Sequence, residues 1–181
     1  MAHDGKNRLR DIIADKSLLK GNFTLASGVA SGYFFDMKKT MFDPEGASLV
    51  GELIVDLVKD DKSFTGIGGL EMGAVPIAVS VAMKSWPARP LNAFFVRKEA
   101  KDHGTKQLID GNFTAGSTVI VLEDVTTTGG SAMKAVKAIR EQGGTVKKIV
   151  TIVDRLEGAR DNLRKEGIEL VALFTNDDFA R

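Results

Sequence analysis

The sequence contains no cysteine among its 181 residues. Disulfide bonds, zinc or iron–sulfur sites built from cysteine, and a cysteine nucleophile are therefore excluded. An excess of charge of one sign is also missing, because 25 basic residues face 24 acidic residues and the formal net charge is +1. This balance does not favour a nucleic-acid or membrane surface as the main function, although a local basic cluster can still bind a small anion.

Long apolar runs are absent as well. No stretch approaches the roughly 20 apolar residues that a membrane-spanning helix requires, and the N-terminal residues are too polar for a signal peptide. We therefore expect a cytoplasmic protein. A hydrophobic share of 43%, a charged share of 27% and the length itself suit a single globular domain with a full core.

Predicted strands and helices alternate along most of the chain. Residues 6–20 have a helical spacing of apolar residues, and Asp43-Pro44 is a good helix start. Apolar and β-branched runs predict strands at 64–69, 91–96, 118–122, 149–153 and 169–174, and further helices are predicted at 73–84, 131–141 and 158–167. This alternation predicts an α/β fold with a central, mostly parallel sheet flanked by helices.

Residues 119–131 carry the strongest functional signal. An apolar strand leads into Glu123 and Asp124, and three threonines and two glycines follow before a helix begins. Parallel sheets bind ligands at the carboxyl ends of their strands, and a glycine-rich turn before a helix offers N–H groups and a positive field to a phosphate.

Two acids beside a phosphate site indicate a ligand with hydroxyls to hold or a positive centre to stabilise, and a ribose 5-phosphate supplies both. A hydrophilic turn without function is the alternative interpretation. The lysine of a P-loop and the glycine spacing of a dinucleotide-binding turn are both missing, which disfavours an NAD-binding module.

This segment resembles the signature with which the type I phosphoribosyltransferases bind phosphoribosyl diphosphate (PRPP). The resemblance implies that Glu123 and Asp124 contact the ribose hydroxyls and that Asp124 favours the positive charge formed during catalysis. It implies phosphate contacts from the turn, which comprises Val125, Thr126, Thr127, Thr128, Gly129, Gly130 and Ser131. It also implies the family's fold, with a hood of about residues 1–40 and 155–181 over a core of about 41–154.

A basic segment follows the predicted strand 91–96, and residues 97–104 read Arg-Lys-Glu-Ala-Lys-Asp-His-Gly. Almost no apolar residue anchors 97–107, so we expect an exposed, mobile loop. From charge alone, a solvated run without function is an equal alternative, because two acids partly neutralise the cations.

The same segment resembles the mobile catalytic loop of the orotate phosphoribosyltransferases. The resemblance implies that Arg97, Lys98, Lys101 and His103 bind the diphosphate of PRPP. It further implies that Lys101 and His103 are catalytic residues in the active site of the neighbouring subunit, within a homodimer that shares loop 97–107 across its interface. Cations around a departing diphosphate lower the barrier electrostatically, and a closing lid excludes water.

Two further segments resemble the base-binding parts of the same family, namely residues 23–36 and the arginine that follows strand 149–153. The resemblance implies orotate contacts from Ser27, Phe34, Phe35, Thr127 and Arg155. A guanidinium group matches the carboxylate of orotate well. From the residues alone, the first segment is as readily a hairpin with buried aromatics, and Arg155 a surface ion pair with Asp154 or Glu157.

The resemblance spans about residues 20–157 and implies Mg²⁺-dependent transfer of ribose 5-phosphate from PRPP to orotate, giving orotidine 5′-monophosphate and diphosphate in pyrimidine biosynthesis. Mg²⁺ would be held mainly by PRPP oxygens rather than by a protein metal site. Many family members have a lysine where this chain has Ala26, and another in the loop that corresponds to residues 68–76, which contain no basic residue. These departures imply greater reliance on backbone N–H groups, Mg²⁺ and the mobile loop.

Alternatives remain open from the sequence. One is a transferase for adenine, hypoxanthine or uracil. Another is a regulator that senses PRPP or binds RNA, which the near-neutral charge and the intact basic loop disfavour.

Overall fold

The computed structural model of the chain describes residues 2–24, 30–99 and 108–180. Its helices are α1 (Ala2–Ile12), α2 (Lys38–Met41), α3 (Pro44–Val58), α4 (Ala74–Ser85), α5 (Gly130–Glu141) and α6 (Ala159–Lys165). Its strands are β1 (Leu18–Thr24), β2 (Ala30–Phe35), β3 (Gly66–Leu70), β4 (Asn92–Val96), β5 (Ile109–Gly111), β6 (Thr118–Thr126), β7 (Thr145–Asp154) and β8 (Glu169–Thr175). A π-helical turn (Ile13–Ser17) continues α1, and a 3₁₀ helix (Asn176–Phe179) follows β8.

Six strands form the central sheet in the order β5-β4-β3-β6-β7-β8. All neighbouring pairs are parallel except β4 and β5, so the predicted α/β fold with a mostly parallel sheet is confirmed. The chain leaves β3 towards β4 on one side and leaves β6 towards β7 on the other. The direction of winding therefore reverses between β3 and β6, and such a switch point opens a crevice at the carboxyl ends of the two strands.

The core has two layers because helices cover both faces of the sheet. Along β6, Ile120 and Leu122 face the layer that contains α1, α3 and α4, whereas Val119 and Val121 face the layer of α5 and α6. Each of these four side chains is at most 2% exposed, as a strand buried on both faces requires. This alternation continues beyond Leu122 and decides the direction of the next two side chains.

The start of α3 follows the sequence prediction, because the Asp43 carboxylate accepts a hydrogen bond of 2.9 Å from the Gly46 N–H and Pro44 is the first helical residue. Strand β6 differs from the prediction because it ends at Thr126, four residues beyond the predicted end. Pairing with β7 holds residues 123–126 in the strand, although most of them are polar. Glu123 lies opposite Thr151, and Thr126 lies opposite Asp154.

Two other elements also depart from expectation. Residues 18–20, predicted as the end of the first helix, begin β1, since β1 pairs with β2 in an antiparallel hairpin. The three-residue strand β5 was not predicted, because so short an edge strand leaves no periodic pattern.

The hairpin β1-β2 lies apart from the central sheet, and the division into a hood and a core stays a prediction. The segment 155–181 was expected to join it, but β8 pairs with β7 and instead extends the central sheet. Two other parts of this segment contact the hairpin. The 3₁₀ helix does so through an edge contact of 5.2 Å between the ring centroids of Phe35 and Phe179, and Arg155 does so through Ser31 and Tyr33 on β2. Among the described helices, none has the length and apolar character needed to cross a membrane.

Candidate active site

The two adjacent acids lie at the switch point, on the part of β6 that extends beyond β3. The pairing of β3 with β6 ends at Gly68 opposite Val121, so the last residues of β6 are paired in the sheet with β7 alone. Successive side chains of a strand point to opposite faces. Glu123 therefore points towards the α5 layer, where it is 8% exposed, and Asp124 points towards the opposite layer, where it is half-buried.

The end of β3 and the loop that follows it lie directly against β6 at the acids, and one glycine in each makes this approach possible. A Cβ atom on Gly69 would lie 2.2 Å from the carbonyl oxygen of Leu122, and one on Gly73 would lie 2.8 Å from the Asp124 carboxylate. The loop also contacts the base of the basic segment, because the Lys98 N–H donates a hydrogen bond of 3.0 Å to Glu71 Oε1. The β3–α4 loop therefore contacts both Asp124 and Lys98, at the start of the basic segment.

The turn after β6 has the geometry of an anion site. Gly129 has φ +88°, a conformation that favours glycine, and α5 begins at the next residue. No side chain within the described ranges caps this helix, so its first N–H groups point into the turn without such a partner. A small cavity sits here, lined by Glu123, Val125, Thr126, Thr127, Gly129, Gly130, Ser131 and Ala132. The turn thus offers N–H groups, hydroxyls and a helix N-terminus to a phosphate.

Two buried polar atoms beside this cavity have no hydrogen-bond partner among the described residues, namely Glu123 Oε1 and Thr126 Oγ1. Buried polar groups in folded proteins are normally paired, because an unpaired group costs free energy. Burial, together with the neighbouring charge of Asp124, raises the pKa of Glu123 to about 8. Burial also raises the pKa of Asp124, against the opposing effect of a hydrogen bond from the Val125 N–H at 2.8 Å. The protonated form of Glu123 can donate a hydrogen bond as well as accept one.

Arg155 follows β7 and connects the hairpin to the central sheet. Its side chain is 4% exposed, and its Nη2 donates a hydrogen bond of 3.0 Å to Ser31 Oγ. Its guanidinium carbon lies 4.3 Å from the ring centroid of Tyr33, and its Nε lies 2.8 Å from Glu157 Oε1. Of the two acids considered as partners from the sequence, Glu157 is the one it contacts, because Asp154 binds Arg160 at 3.1 Å. Arg155 is therefore a buried residue rather than part of a surface ion pair.

The two phenylalanines predicted to contact the base have different environments. Phe34 is 37% exposed and packs on Phe23 with 5.7 Å between ring centroids. Phe35 is 4% exposed and belongs to the hydrophobic core, where it contacts Tyr33 and Phe179. Alternation along β2 puts Phe35 on the same face as Ser31 and Tyr33 and puts Phe34 on the other face, and the contacts of Phe34 and Phe35 with orotate stay predictions.

The basic segment is only partly described. Arg97 forms an ion pair of 2.5 Å with Asp110 on β5, and Lys98 is exposed. The predicted residues Ser27, Lys101 and His103 lie outside the described ranges. The structure thus brings the acids, the phosphate turn and the start of the basic segment to one crevice.

Sequence reasoning did not assign any role to two charged residues close to Asp124. The positive charge of Lys38 lowers the pKa of Asp124, and the negative charge of Asp36 raises it. Lys38 Nζ and Asp36 Oδ1 are 2.5 Å apart, and the Lys38 side chain is 60% exposed. Their positions follow from how the hairpin sits against the sheet, and a pattern search along the chain has no signal for that.

Comparison with known proteins places this site in a family. The model of the phosphoribosyl transferase domain family matches residues 39–177. An orotate phosphoribosyltransferase of Bradyrhizobium sp. (strain BTAi1) is 49% identical over 177 residues, which cover 95% of each chain. The chain therefore belongs to the phosphoribosyltransferase family, as the segment 119–131 predicts. Within that family it groups with the orotate phosphoribosyltransferases, which are pentosyltransferases.

Solved structures agree with this placement. A crystal structure of Mycobacterium tuberculosis orotate phosphoribosyltransferase with Fe(III) dicitrate has a TM-score of 0.86 at 34% identity, covering 98% of this chain and 99% of that chain. A second crystal structure of the same enzyme, in complex with PRPP, has a TM-score of 0.80 at 29% identity and covers 98% of this chain and 92% of that chain.

Replacement of Glu123 by glutamine is expected to change the pH dependence of unfolding. Because the folded-state pKa of Glu123 lies above its unfolded value, the folded protein retains a proton that the unfolded chain has lost at neutral pH. The contribution of Glu123 to stability is therefore fully present below about pH 4.5 and is lost as the pH rises towards about 8. Urea unfolding should show that Glu123→Gln gains about 1 kcal/mol or more relative to wild type across this window.

A Glu99→Gln variant is the control, because Glu99 is exposed. Parallel pH profiles for wild type and Glu123→Gln would show that Glu123 titrates as an ordinary glutamate.

Proposed function

We propose that this chain is an orotate phosphoribosyltransferase that acts in pyrimidine biosynthesis in the cytoplasm. It transfers ribose 5-phosphate from PRPP to orotate and releases orotidine 5′-monophosphate and diphosphate. The observation that carries the proposal is the arrangement at the end of β6, where buried Glu123 and half-buried Asp124 are followed by a turn into α5, a helix without a side-chain cap. The names of the relatives and the PRPP bound to a solved neighbour support the choice of substrates.

The proposed PRPP site uses both sides of the crevice. The 5-phosphate binds the N–H groups and hydroxyls of residues 125–131, where the helix N-terminus favours negative charge. Glu123 and Asp124 hold the ribose hydroxyls. Two buried atoms support this site, because Glu123 Oε1 and Thr126 Oγ1 lack hydrogen-bond partners among the described residues and are free to bind a ligand. Arg97, Lys98, Lys101 and His103 bind the diphosphate from the basic segment.

Mg²⁺ is the proposed cofactor, and the donors of this site suit it. Mg²⁺ prefers oxygen ligands and keeps several from waters and substrate phosphates, and the Asp124 carboxylate is an oxygen donor beside the crevice. Among the described residues there is no group of three or more His, Cys, Asp or Glu side chains placed to hold an ion. We therefore assign most ligands to PRPP oxygens. When bound, Mg²⁺ would neutralise diphosphate charge and so make diphosphate a better leaving group.

The proposed base site lies between the hairpin and the end of β7. Arg155 meets the orotate carboxylate, while Phe34, Ser27 and Thr127 enclose the ring. The partial exposure of Phe34 supports its part, because its ring is accessible to a ligand.

The proposed chemistry begins as the bond between ribose C1 and diphosphate weakens, which leaves positive charge on C1 and the ring oxygen. A ring nitrogen of orotate then forms the new bond to C1, its N–H bond breaks and the proton passes to water, and the electrons of the broken C1–O bond leave with diphosphate. Asp124 attracts the positive charge, and Lys101 stabilises the departing group. His103 donates a hydrogen bond or a proton to that group, and closure of the basic segment excludes water.

We also propose that the active enzyme is a homodimer that shares loop 97–107 across its interface. Exposed apolar residues on and directly after α4 support an interface, because Val79 and Met83, four residues apart on the helix, are 51% and 73% exposed and Trp86, which follows the helix, is 72% exposed. Helix α4 also follows the β3–α4 loop that contacts Lys98.

The proposed activity is tested with a panel of bases in the presence of PRPP and Mg²⁺. Orotate should be consumed rapidly, as followed by its absorbance, whereas uracil, adenine and hypoxanthine should not. A Lys101→Ala, His103→Ala double variant should lower kcat by about 100-fold or more, with a much smaller effect on orotate binding. A Lys134→Ala variant, on the exposed face of α5, serves as the control. Rapid turnover of another base, or full activity of the double variant, would contradict the assignment.

The shared loop is tested by co-expressing Lys101→Ala and Asp124→Asn subunits with different tags and purifying the heterodimer. If Lys101 acts in the partner's site, one of the two sites contains only unaltered residues. The heterodimer should then have about half of wild-type activity, although each homodimer is inactive. Activity no higher than that of the homodimers would mean that the loop acts within its own subunit.

We further assign to Lys38 part of the charge that binds PRPP. Residues 68–76 contain no basic residue and position 26 is alanine, so two lysines that the family resemblance leads us to expect are missing. Lys38 supplies a positive charge near Asp124 from a largely exposed side chain that Asp36 holds at 2.5 Å. If a phosphate oxygen of PRPP replaced Asp36 as the ion-pair partner of Lys38, this positive charge would bind the substrate.

Lys38→Gln should therefore raise the KM for PRPP by about tenfold and leave the KM for orotate within about twofold. Lys39→Gln is the matched control, because Lys39 is the next residue and equally exposed. Steady-state kinetics with each substrate varied separately gives both values. Identical PRPP constants for the two variants would remove Lys38 from the site.

A further inference from the structure

Four side chains from two parts of the chain form a compact group, which we call the Arg155 cluster: Ser31, Tyr33, Arg155 and Glu157. Ser31 and Tyr33 are two residues apart on β2, so they share one face of the hairpin. Arg155 and Glu157 follow the carboxyl end of β7. The distances are 3.0 Å from Arg155 Nη2 to Ser31 Oγ, 2.8 Å from Arg155 Nε to Glu157 Oε1, and 4.3 Å from the guanidinium carbon to the Tyr33 ring centroid.

The cluster holds the guanidinium group on several sides. A buried charge is costly unless it is paired, and the Glu157 carboxylate supplies the opposite charge at the Nε edge. The Tyr33 ring covers one face of the guanidinium plane through a cation–π contact. Ser31 accepts a hydrogen bond from one of the five N–H donors that an arginine carries. The side chain is therefore fixed in position as well as neutralised.

One end of the guanidinium group is left for a ligand. Among residues 2–24, 30–99 and 108–180, the side-chain hydrogen bond of Arg155 runs from Nη2 to Ser31 Oγ, whereas its buried Nε forms an ion pair with Glu157 Oε1 at 2.8 Å without a hydrogen bond. Nη1 donates to no side chain or carbonyl in this part of the chain. The Nε edge is occupied by Glu157, and the Nη2 group by Ser31. An incoming carboxylate would therefore meet Arg155 at a single, predetermined edge.

We propose that Glu157 and Tyr33 are positioning residues for base selection, which fix the Arg155 guanidinium so that its Nη1 edge meets the carboxylate of the incoming base. This inference rests on the proposed function and specifies how the base is recognised. Glu157 partly cancels the charge of Arg155 and so weakens its attraction for a carboxylate. Glu157 therefore favours binding by orienting the guanidinium group. A side chain already held in its binding geometry loses less rotational freedom when the ligand arrives.

The role predicts an effect confined to the carboxylate-bearing substrate. Glu157→Ala frees the guanidinium, so the KM for orotate should rise by about tenfold, with kcat and the KM for PRPP within about twofold. Glu157→Gln keeps an oxygen at the same place and should restore the KM to within about threefold. The matched control is Glu166→Ala, which removes the exposed partner of Arg140 at 3.5 Å and should leave all constants unchanged.

The Tyr33 ring is tested by two substitutions that separate its face from its hydroxyl. Tyr33→Phe retains the aromatic face and should match wild type, whereas Tyr33→Leu should raise the KM for orotate by about fivefold. Discrimination between orotate and uracil, which lacks the carboxylate, should fall in Tyr33→Leu and Glu157→Ala but not in Tyr33→Phe.

The outcomes separate this inference from the proposed function. Failure of the wild-type protein to convert orotate with PRPP would overturn the function itself. An active wild type with unchanged orotate constants in Glu157→Ala and Tyr33→Leu would overturn the positioning role alone. So would an equal rise in the KM of both substrates with a lower melting temperature, because that pattern indicates a structural role.

Discussion

The site depends on one constraint, which is that β6 is longer than its neighbour β3. Pairing with β3 stops at Val121, and pairing with β7 continues to Thr126. The extension keeps the acids in a regular strand, so alternation sends Glu123 towards the phosphate turn and Asp124 towards the hairpin side. A crevice remains where β3 has ended, and the β3–α4 loop borders it.

Glycine makes this arrangement sterically possible at two points. The backbone at Gly69 lies so close to the Leu122 carbonyl that any side chain would collide with it, and Gly73 leaves space for the Asp124 carboxylate. The buried acids in turn give the site its electrostatic character. Glu123 has a buried oxygen without a partner in the described chain, so a ligand hydroxyl would satisfy a group that the fold leaves unpaired.

The contact between the hairpin and the end of β7 forms the second part of the site. Arg155 belongs to the end of β7 but contacts Ser31 and Tyr33 on β2, so the base-recognition residues depend on where the hairpin lies. Lys38, which follows the same hairpin, acts on Asp124 from that side. In the proposed function, part of the base site and part of the charge near the ribose therefore come from the hairpin and the residues that follow it, outside the central sheet.

The sequence by itself determined the fold class, the family and the phosphate turn. These depend on local patterns, such as the apolar run before Glu123 and the glycines before α5, which are read in the order in which they occur. Tertiary structure alone decided the extension of β6, the burial of Phe35, the partner of Arg155 and the closeness of Lys38 to Asp124. Each of these depends on pairing or packing between residues far apart in the chain, and such contacts leave no periodic trace in the sequence.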